Sequence, residues 1–385
     1  MATVTRHRLI TPAFVTVGVA TLAYFTADGL LLPAVPLYVE GPLGGDDVAV
    51  GITVGAFSLT ALLLRPWAGR LGDRRGRRLL MVTGGAIIGL SVAAYSLAGS
   101  VAVLTVLRLV SGVGEAFFFT GAASAVTDMA PEERRGEAVS FFSLALYVGI
   151  GVGPFLGEAS IQALGFTVTW LFGGALALIA AVLALTVPET RPEGSGEEPS
   201  SRLIHRSALL PGTVLLASVA GMSGFFAFLP LHALEVGLSG SRFVFMLYSG
   251  IVVVIRSVGA RIPDVLGPER ASRISLFSSA AGLAMVALWP TPAGLLVGTS
   301  VFAVGSALAF PGLMLLALRG TSPRERGSVL GTFTAFVDLG FGVGPALLGV
   351  VAEAAGYGGA FAAASVVAVG GLALLLFRTK VPERR

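Results

Sequence analysis

The chain has 385 residues, of which 55% are hydrophobic and only 12% charged, with a net charge of +4 and a mean hydropathy of +0.86. Soluble domains carry roughly 25% charged residues, so this composition excludes an ordinary water-soluble fold and points to lipid as the solvent. The chain has no cysteine, which removes disulfides, thiolate chemistry and cysteine-held metals, and His7, His205 and His232 are too scattered to suggest a histidine metal site.

Apolar runs of about twenty residues, the length that crosses the hydrocarbon of a bilayer, recur between short polar breaks. The first span, 11–37, lacks a small-residue cleavage pattern, reads as a retained helix and carries Asp28. The second, 49–70, carries Arg65 and runs into Gly69-Arg-Leu-Gly-Asp73-Arg74-Arg-Gly76-Arg77-Arg78, a short loop with five arginines and one acid. Spans three to six follow at 79–98, 102–127, 137–158 and 168–187; the fourth holds Arg108 and Glu115 and ends next to Asp128. The segment 189–206, rich in Pro, Gly, Ser and Glu, reads as a flexible linker. Six more spans lie at 208–235, 243–263, 273–289, 293–317, 328–351 and 357–377, with Asp338 in the eleventh.

The arginines orient these spans. With the N-terminus inside, 22 of the 26 basic residues fall on inner segments, one (Arg242) on an outer loop and three (Arg65, Arg108, Arg256) within spans. This is the positive-inside pattern, and it accounts for the basic charge without nucleic acid. The expected location is a cell inner (plasma) membrane, with both termini cytoplasmic.

The chain also repeats itself. A shift of 191 carries Arg65 onto Arg256, Arg70 onto Arg261, Asp73 onto Asp264, Gly76 onto Gly267, Gly114 onto Gly305, Gly121 onto Gly312, and GIGVGP (149–154) onto GFGVGP (340–345). Parallel repeats of this kind let two halves rock around a central site. The expected division is an N-terminal six-helix bundle at 1–188, a cytoplasmic linker at 189–206 and a C-terminal six-helix bundle at 207–385.

The loop Gly69–Arg78 resembles the helix 2–3 signature (motif A) of the major facilitator superfamily, and the twelve spans in a 6+6 repeat match that family over essentially the whole chain. The resemblance implies an all-α membrane protein, two six-helix bundles related by a pseudo-twofold axis, that moves small solutes by alternating access. It also implies that Asp73 latches the halves in the outward-open state. The positive dipole end of the eleventh span is the expected docking point for that carboxylate. Gly69 and Gly76 suit a close approach and a tight turn. Asp128 is a candidate partner for Arg74 or Arg77, while Arg75 and Arg78 read as topological anchors.

In the fifth span, Gly149, Gly153 and Gly157 recur every fourth position with Pro154 beside the middle one, a strip against which another helix can pack closely. The stretch resembles the antiporter-branch signature (motif C), except that Glu158 replaces its last glycine. In the fourth span, Arg108 resembles the motif B arginine, which the family implicates in proton transfer.

Charges inside the membrane each cost at least about 2.5 kcal/mol and should face a cavity or a partner. Asp28, Arg108, Glu115 and Asp338 are the clear cases; Arg65 and Arg256, nearer the inner ends, are expected to snorkel. The 191 shift maps Glu115 onto Ser306, Asp338 onto Tyr147 and Asp28 onto Val219, so these acids break the symmetry the scaffold keeps. They are candidate proton or substrate sites; static pairing, such as Glu115 with Arg108, is the structural alternative. Phe117, Phe118, Phe119, Phe225, Phe226 and Phe228 are candidates to line an amphipathic cavity.

The sequence therefore reads as a monomeric, proton-coupled exporter of small amphipathic organic molecules. A facilitator or proton symporter of a polar solute such as a sugar is the alternative, and a non-transporting receptor or scaffold a third reading. No HExxH, Walker lysine or Ser–His pair suggests an enzyme, and the expected energy source is an ion gradient with no cofactor.

Overall fold

The computed structural model describes residues 9–131, 134–190, 205–259, 265–321 and 325–378. The basic residues expected at the two chain ends other than Arg378, most of the linker, and Arg261 and Asp264 of the second loop copy lie outside these. Ten α-helices make up the described residues: α1 (Pro12–Glu40), α2 (Asp47–Arg75), α3 (Arg77–Ala94), α4 (Val101–Met129), α5 (Arg135–Leu185), α6 (Arg206–Glu235), α7 (Arg242–Val258), α8 (Pro268–Leu288), α9 (Pro292–Leu318) and α10 (Arg326–Arg378). Nine of these helices are long and apolar enough to cross a membrane.

Local chemistry sets the helix starts. The Thr11 side chain accepts from Phe14 N ahead of Pro12, Asp46 accepts from Ala49 N at 2.7 Å, and Ser100 and Thr291 cap α4 and α9 in the same way. Each cap satisfies a donor that has no intrahelical partner. The two longest helices, of 51 and 53 residues, would each extend more than 75 Å if straight, over twice the roughly 30 Å of hydrocarbon. Each is broken by one glycine with positive φ, Gly165 (φ 79°) in α5 and Gly356 (φ 71°) in α10, giving two arms apiece. The two breaks divide the ten helices into twelve segments, the number that the hydropathy pattern predicts.

These two glycines stand 191 residues apart, as do Gly76 (φ 102°) and Gly267 (φ 79°), which precede α3 and α8. The helix crossings repeat at the same interval. Gly114 packs on Gly84 and Ile88 of α3, and Gly305 on Ser275 and Ser279 of α8; Gly121 meets Leu80 and Met81, and Gly312 meets Ala271 and Ser272. The repeat is therefore one of backbone geometry as well as sequence, and it builds two helix bundles from α1–α5 and α6–α10.

The two ends of the assembly differ in charge. One carries the arginine loop between α2 and α3. The other carries Glu40, Asp46, Asp47, Glu158, Glu235 and Glu353 against the single Arg242. The halves meet along α2–α10, α5–α7 and α1–α6. At the acid-rich end, Asp47 N donates to Glu353 Oε2 at 3.2 Å and the Tyr357 hydroxyl to Glu40 at 3.5 Å. Backbones also touch there, at Gly51 on Pro345 and Gly55 on Gly342.

Candidate functional site

The charges expected inside the membrane converge where the halves meet. Glu115, 6% exposed, accepts a hydrogen bond from the Tyr24 hydroxyl at 2.6 Å, and Tyr24 stacks flat on Phe118 at 4.0 Å. Arg65 lies between two carboxylates, 3.5 Å from Glu115 in its own half and 3.1 Å from Asp338 in the other. Its guanidinium also sits 4.6 Å over the Phe119 ring. One arginine thus joins both halves through acids that are each almost fully buried.

This corrects two expectations. Arg65 does not snorkel: it stands ten residues from the end of α2, about 15 Å along the axis, and turns inward to the acids. Glu115 pairs with Arg65 and not with Arg108. Arg108 instead ties α4 to α2, donating to Thr53 O at 3.3 Å and Val54 O at 3.2 Å while its guanidinium covers Phe57 at 4.6 Å. Its Nη1 is buried and has no hydrogen bond. Asp28 is half-buried in mid-helix, within electrostatic reach of both Glu115 and Arg108. Tyr24 lies one turn before Asp28 on the same face of α1, a spacing from which its place was readable.

The glycine strip of α5 positions this group. A Cβ at Gly149 would meet Phe25 and Thr26 at 2.8 Å, one at Gly153 would meet Gly29, Leu30 and Thr26 at 2.6 Å, and one at Gly157 would meet Leu30 O at 2.7 Å. The strip therefore grips the turn of α1 that presents Asp28, and Pro154 lies within the same run of α5.

Six phenylalanines are candidates for a cavity lining, and the structure separates them. Phe117 and Phe118 are buried, Phe225 and Phe226 pack in an aromatic core with Tyr248, Phe302 and Phe361, and Phe228, also buried, stacks on Tyr357. Only Phe119 among them is partly open. Phe57, Tyr147 and Phe341 are also partly open.

At the arginine-rich end, Arg77 holds the loop. It is 3.1 Å from Asp128 and 2.6 Å from Asp73, one turn away, and is itself buried. Asp128 is thus bound by Arg77 and not Arg74, which is exposed alongside Arg75 and Arg78. In this conformation Asp73 faces its own loop. Gly76, with φ 102°, turns the chain into α3, whose first N–H (Arg77 N) is taken by Glu189 at 2.7 Å. A Cβ at Gly69 would meet nothing within 4 Å, so the close approach expected there is not made.

Glu158 acquires a role that the sequence did not disclose. It is 3% exposed and reaches from α5 to the start of α7 in the other half, accepting from Ser241 N at 2.7 Å, from the Ser241 hydroxyl and from Arg242 N at 3.0 Å. It caps a helix of the opposite bundle, where a carboxylate also meets the positive end of the helix dipole.

The Major Facilitator Superfamily model matches residues 17–321 and 273–385. The chain belongs to the major facilitator superfamily. It is similar to an uncharacterised MFS-type transporter of Salmonella typhimurium, 29% identical over 97% of this chain and 98% of the relative, and to one of Burkholderia mallei, 28% identical over 92% and 89%. Among solved structures, the fold is similar to a bacterial homologue of the human lysosomal transporter Spinster in an inward-facing, occupied conformation (TM-score 0.78, 15% identity, 95% of this chain and 96% of that one). It is also similar to the nucleoside transporter NupG (0.76, 15%, 96% and 100%) and the human organic anion transporter MFSD10 (0.72, 20%, 95% and 100%). The chain is therefore a multi-pass membrane transporter of a small-molecule substrate and not an enzyme, in a family whose members generally need no cofactor.

Proposed function

We propose that this transporter exports small amphipathic organic molecules in exchange for protons, by alternating access, as a monomer in the inner (plasma) membrane with both termini cytoplasmic. The observation that carries this reading is the cluster Glu115–Arg65–Asp338, an ion bridge between the two halves at mid-membrane. A proton on either acid removes one side of the bridge, and the halves must release Arg65 from Asp338 to part there. Asp28 and Glu115 are the coupling acids, with Arg108 beside them. Partly open rings at Phe119 beside Arg65 and Phe57 beside Arg108, with Tyr147 and Phe341 also partly open, suit an amphipathic solute.

Placing the arginine-rich end in the cytoplasm makes the acid-rich contacts external and this conformation inward-facing, a reading supported by the likeness to the inward-facing Spinster homologue. Asp73 then serves the other conformation, leaving Arg77 to latch the second half. A pH gradient imposed across proteoliposomes should drive uphill export in wild type and not in Asp28→Asn or Glu115→Gln; retention of uphill transport in both variants sinks the coupling assignment. The likeness to a nucleoside transporter favours a second reading, symport or facilitated passage of a polar solute. The same gradient then drives solute the opposite way, or has no effect.

A further inference from the structure

The repeat carries the central cluster onto a second one. Arg65 maps onto Arg256, Glu115 onto Ser306, Asp338 onto Tyr147 and Phe57 onto Tyr248. These four residues also come together in space. The Arg256 guanidinium lies 4.4 Å over the ring of Tyr147 in the opposite half. Tyr248, buried and donating its hydroxyl to Met222 Sδ at 3.2 Å, is within electrostatic reach of both and sits beside Ser306. An arginine thus reaches into the opposite half twice about the axis, once onto a carboxylate and once onto an aromatic ring.

The difference leaves the second arginine uncompensated. Arg256 has no carboxylate partner and no hydrogen bond among the described residues; its Nε is buried, and the residue as a whole is half-buried. The Ser306 hydroxyl, 9% exposed, is likewise without a well-formed hydrogen bond. Arg256 lies in the last turn of α7, and its guanidinium reaches over Tyr147, twelve residues into α5. A charge carried into the bundle should face a cavity or a partner, and among the described residues it meets the face of an aromatic ring. Cation–π contact attracts the guanidinium without using its N–H fork, which matches carboxylate and phosphate geometry.

We propose that Arg256, set over the Tyr147 ring near Tyr248 and Ser306, binds an acidic group (carboxylate, sulfonate or phosphate) of the transported molecule, which is therefore an organic anion. This rests on the reading above that an amphipathic solute passes between the halves. It adds a site opposite the acids, so that one solute spans a cationic and an anionic wall.

The test uses 2-naphthoate and its neutral analogue 2-naphthamide, measured by equilibrium dialysis against the full chain in phosphatidylcholine nanodiscs, with empty discs subtracted. Wild type should hold naphthoate at least tenfold tighter than naphthamide. Arg256→Gln should abolish that preference while naphthamide binding stays within twofold, which also shows that the variant is folded. Arg256→Lys, with the charge but not the fork, should be intermediate, and Arg319→Gln, at an exposed ion pair, unchanged. Equal binding of the probes to wild type, absence of binding, or a preference that survives Arg256→Gln overturns the proposal. Lipid phosphate offers the same chemistry, so discs containing phosphatidylglycerol form a second arm. Unchanged naphthoate binding assigns the site to the solute, and competitive loss assigns it to a headgroup and overturns the proposal. Proteoliposome flux separates this inference from the reading beneath it. If naphthamide is carried and naphthoate has no advantage, the anion site falls and the transport reading stands. If naphthoate binds through Arg256 but neither probe crosses, the site stands and its place on the solute path falls.

Discussion

Removing the Glu158 carboxylate should open the acid-rich end. The contact exists only while α5 and α7 meet there, because all three of its donors (Ser241 N, the Ser241 hydroxyl and Arg242 N) belong to the other half. Capping a helix N-terminus contributes about 0.5–2 kcal/mol, and a hydrogen bond to a charged group about 1.5–3 kcal/mol. The same N–H groups enter both figures, so the clasp as a whole is worth about 2 kcal/mol to the closed state. At about 1.4 kcal/mol per tenfold, Glu158→Ala should move the closed–open equilibrium about 30-fold toward open. Glu158→Gln, which keeps an acceptor but not the charge, should move it roughly fivefold by the same arithmetic. The chain has no cysteine of its own, so cysteines placed at the exposed Ala163 and Ser239 take spin labels without background. Distance distributions between those labels in nanodiscs report the two populations. The neighbouring Gln162, exposed and 3.4 Å from Ser239 O, supplies the control, with less than a twofold effect expected for Gln162→Ala. A shift below threefold in Glu158→Ala, or one matched by the control, refutes the clasp.

Three further outcomes follow from the packing and the ion pairs. Gly153→Ala puts a Cβ 2.6 Å from backbone atoms of Gly29 and Leu30; the overpacking costs about 1–3 kcal/mol and should lower the Tm in detergent, whereas Gly18→Ala, with nothing within 4 Å, should leave it level or raise it. Asp73→Asn breaks an ion pair whose acid is 57% exposed, so stability should change by less than about 1 kcal/mol while transport falls severalfold through loss of the latch in the other conformation; unimpaired flux removes the latch. Asp338→Asn takes away the inter-half partner of Arg65 and should leave downhill flux but blunt its dependence on a pH gradient; an unaltered dependence frees Asp338 of any part in coupling.

The fold was legible because its signals are periodic and redundant. Twenty-residue apolar runs, the arginine asymmetry and the 191-residue repeat each constrain the same architecture, and the repeat reappears in the backbone at Gly76 and Gly267 and at Gly165 and Gly356. The acids of the site were legible because a charge in hydrocarbon stands out wherever it points. Direction was not legible. Arg65 reads as a snorkelling residue until its depth from the helix end is measured, and Glu115 and Arg108 share a helix face yet choose different partners, a carboxylate–arginine pair in one case and backbone carbonyls in the other. Glu158 reads as a blemish in a glycine motif, because its three donors lie 83 and 84 positions away in sequence.

The central charges divide between the halves in a way that bears on the transport cycle. Asp28, Arg65, Arg108 and Glu115 belong to the first bundle, and Arg256 and Asp338 to the second. With all six ionised, each bundle is neutral at its centre, although the ion bridge from Arg65 to Asp338 runs between them. Separating the bundles therefore breaks an attraction without leaving net charge on either side. An empty transporter that rocks between its two conformations moves no net charge of its own through the membrane field. In the proposed cycle charge crosses only with cargo, a proton on one of the acids or an anion at Arg256, and each such charge is worth about 2.3 kcal/mol per 100 mV. A symmetric site, with two acids beside each arginine, would give both bundles the same charge as they closed on each other. The loss of symmetry at Ser306, Tyr147 and Val219 avoids that repulsion and leaves Arg256 without a carboxylate among the described residues, as the proposed anion site requires.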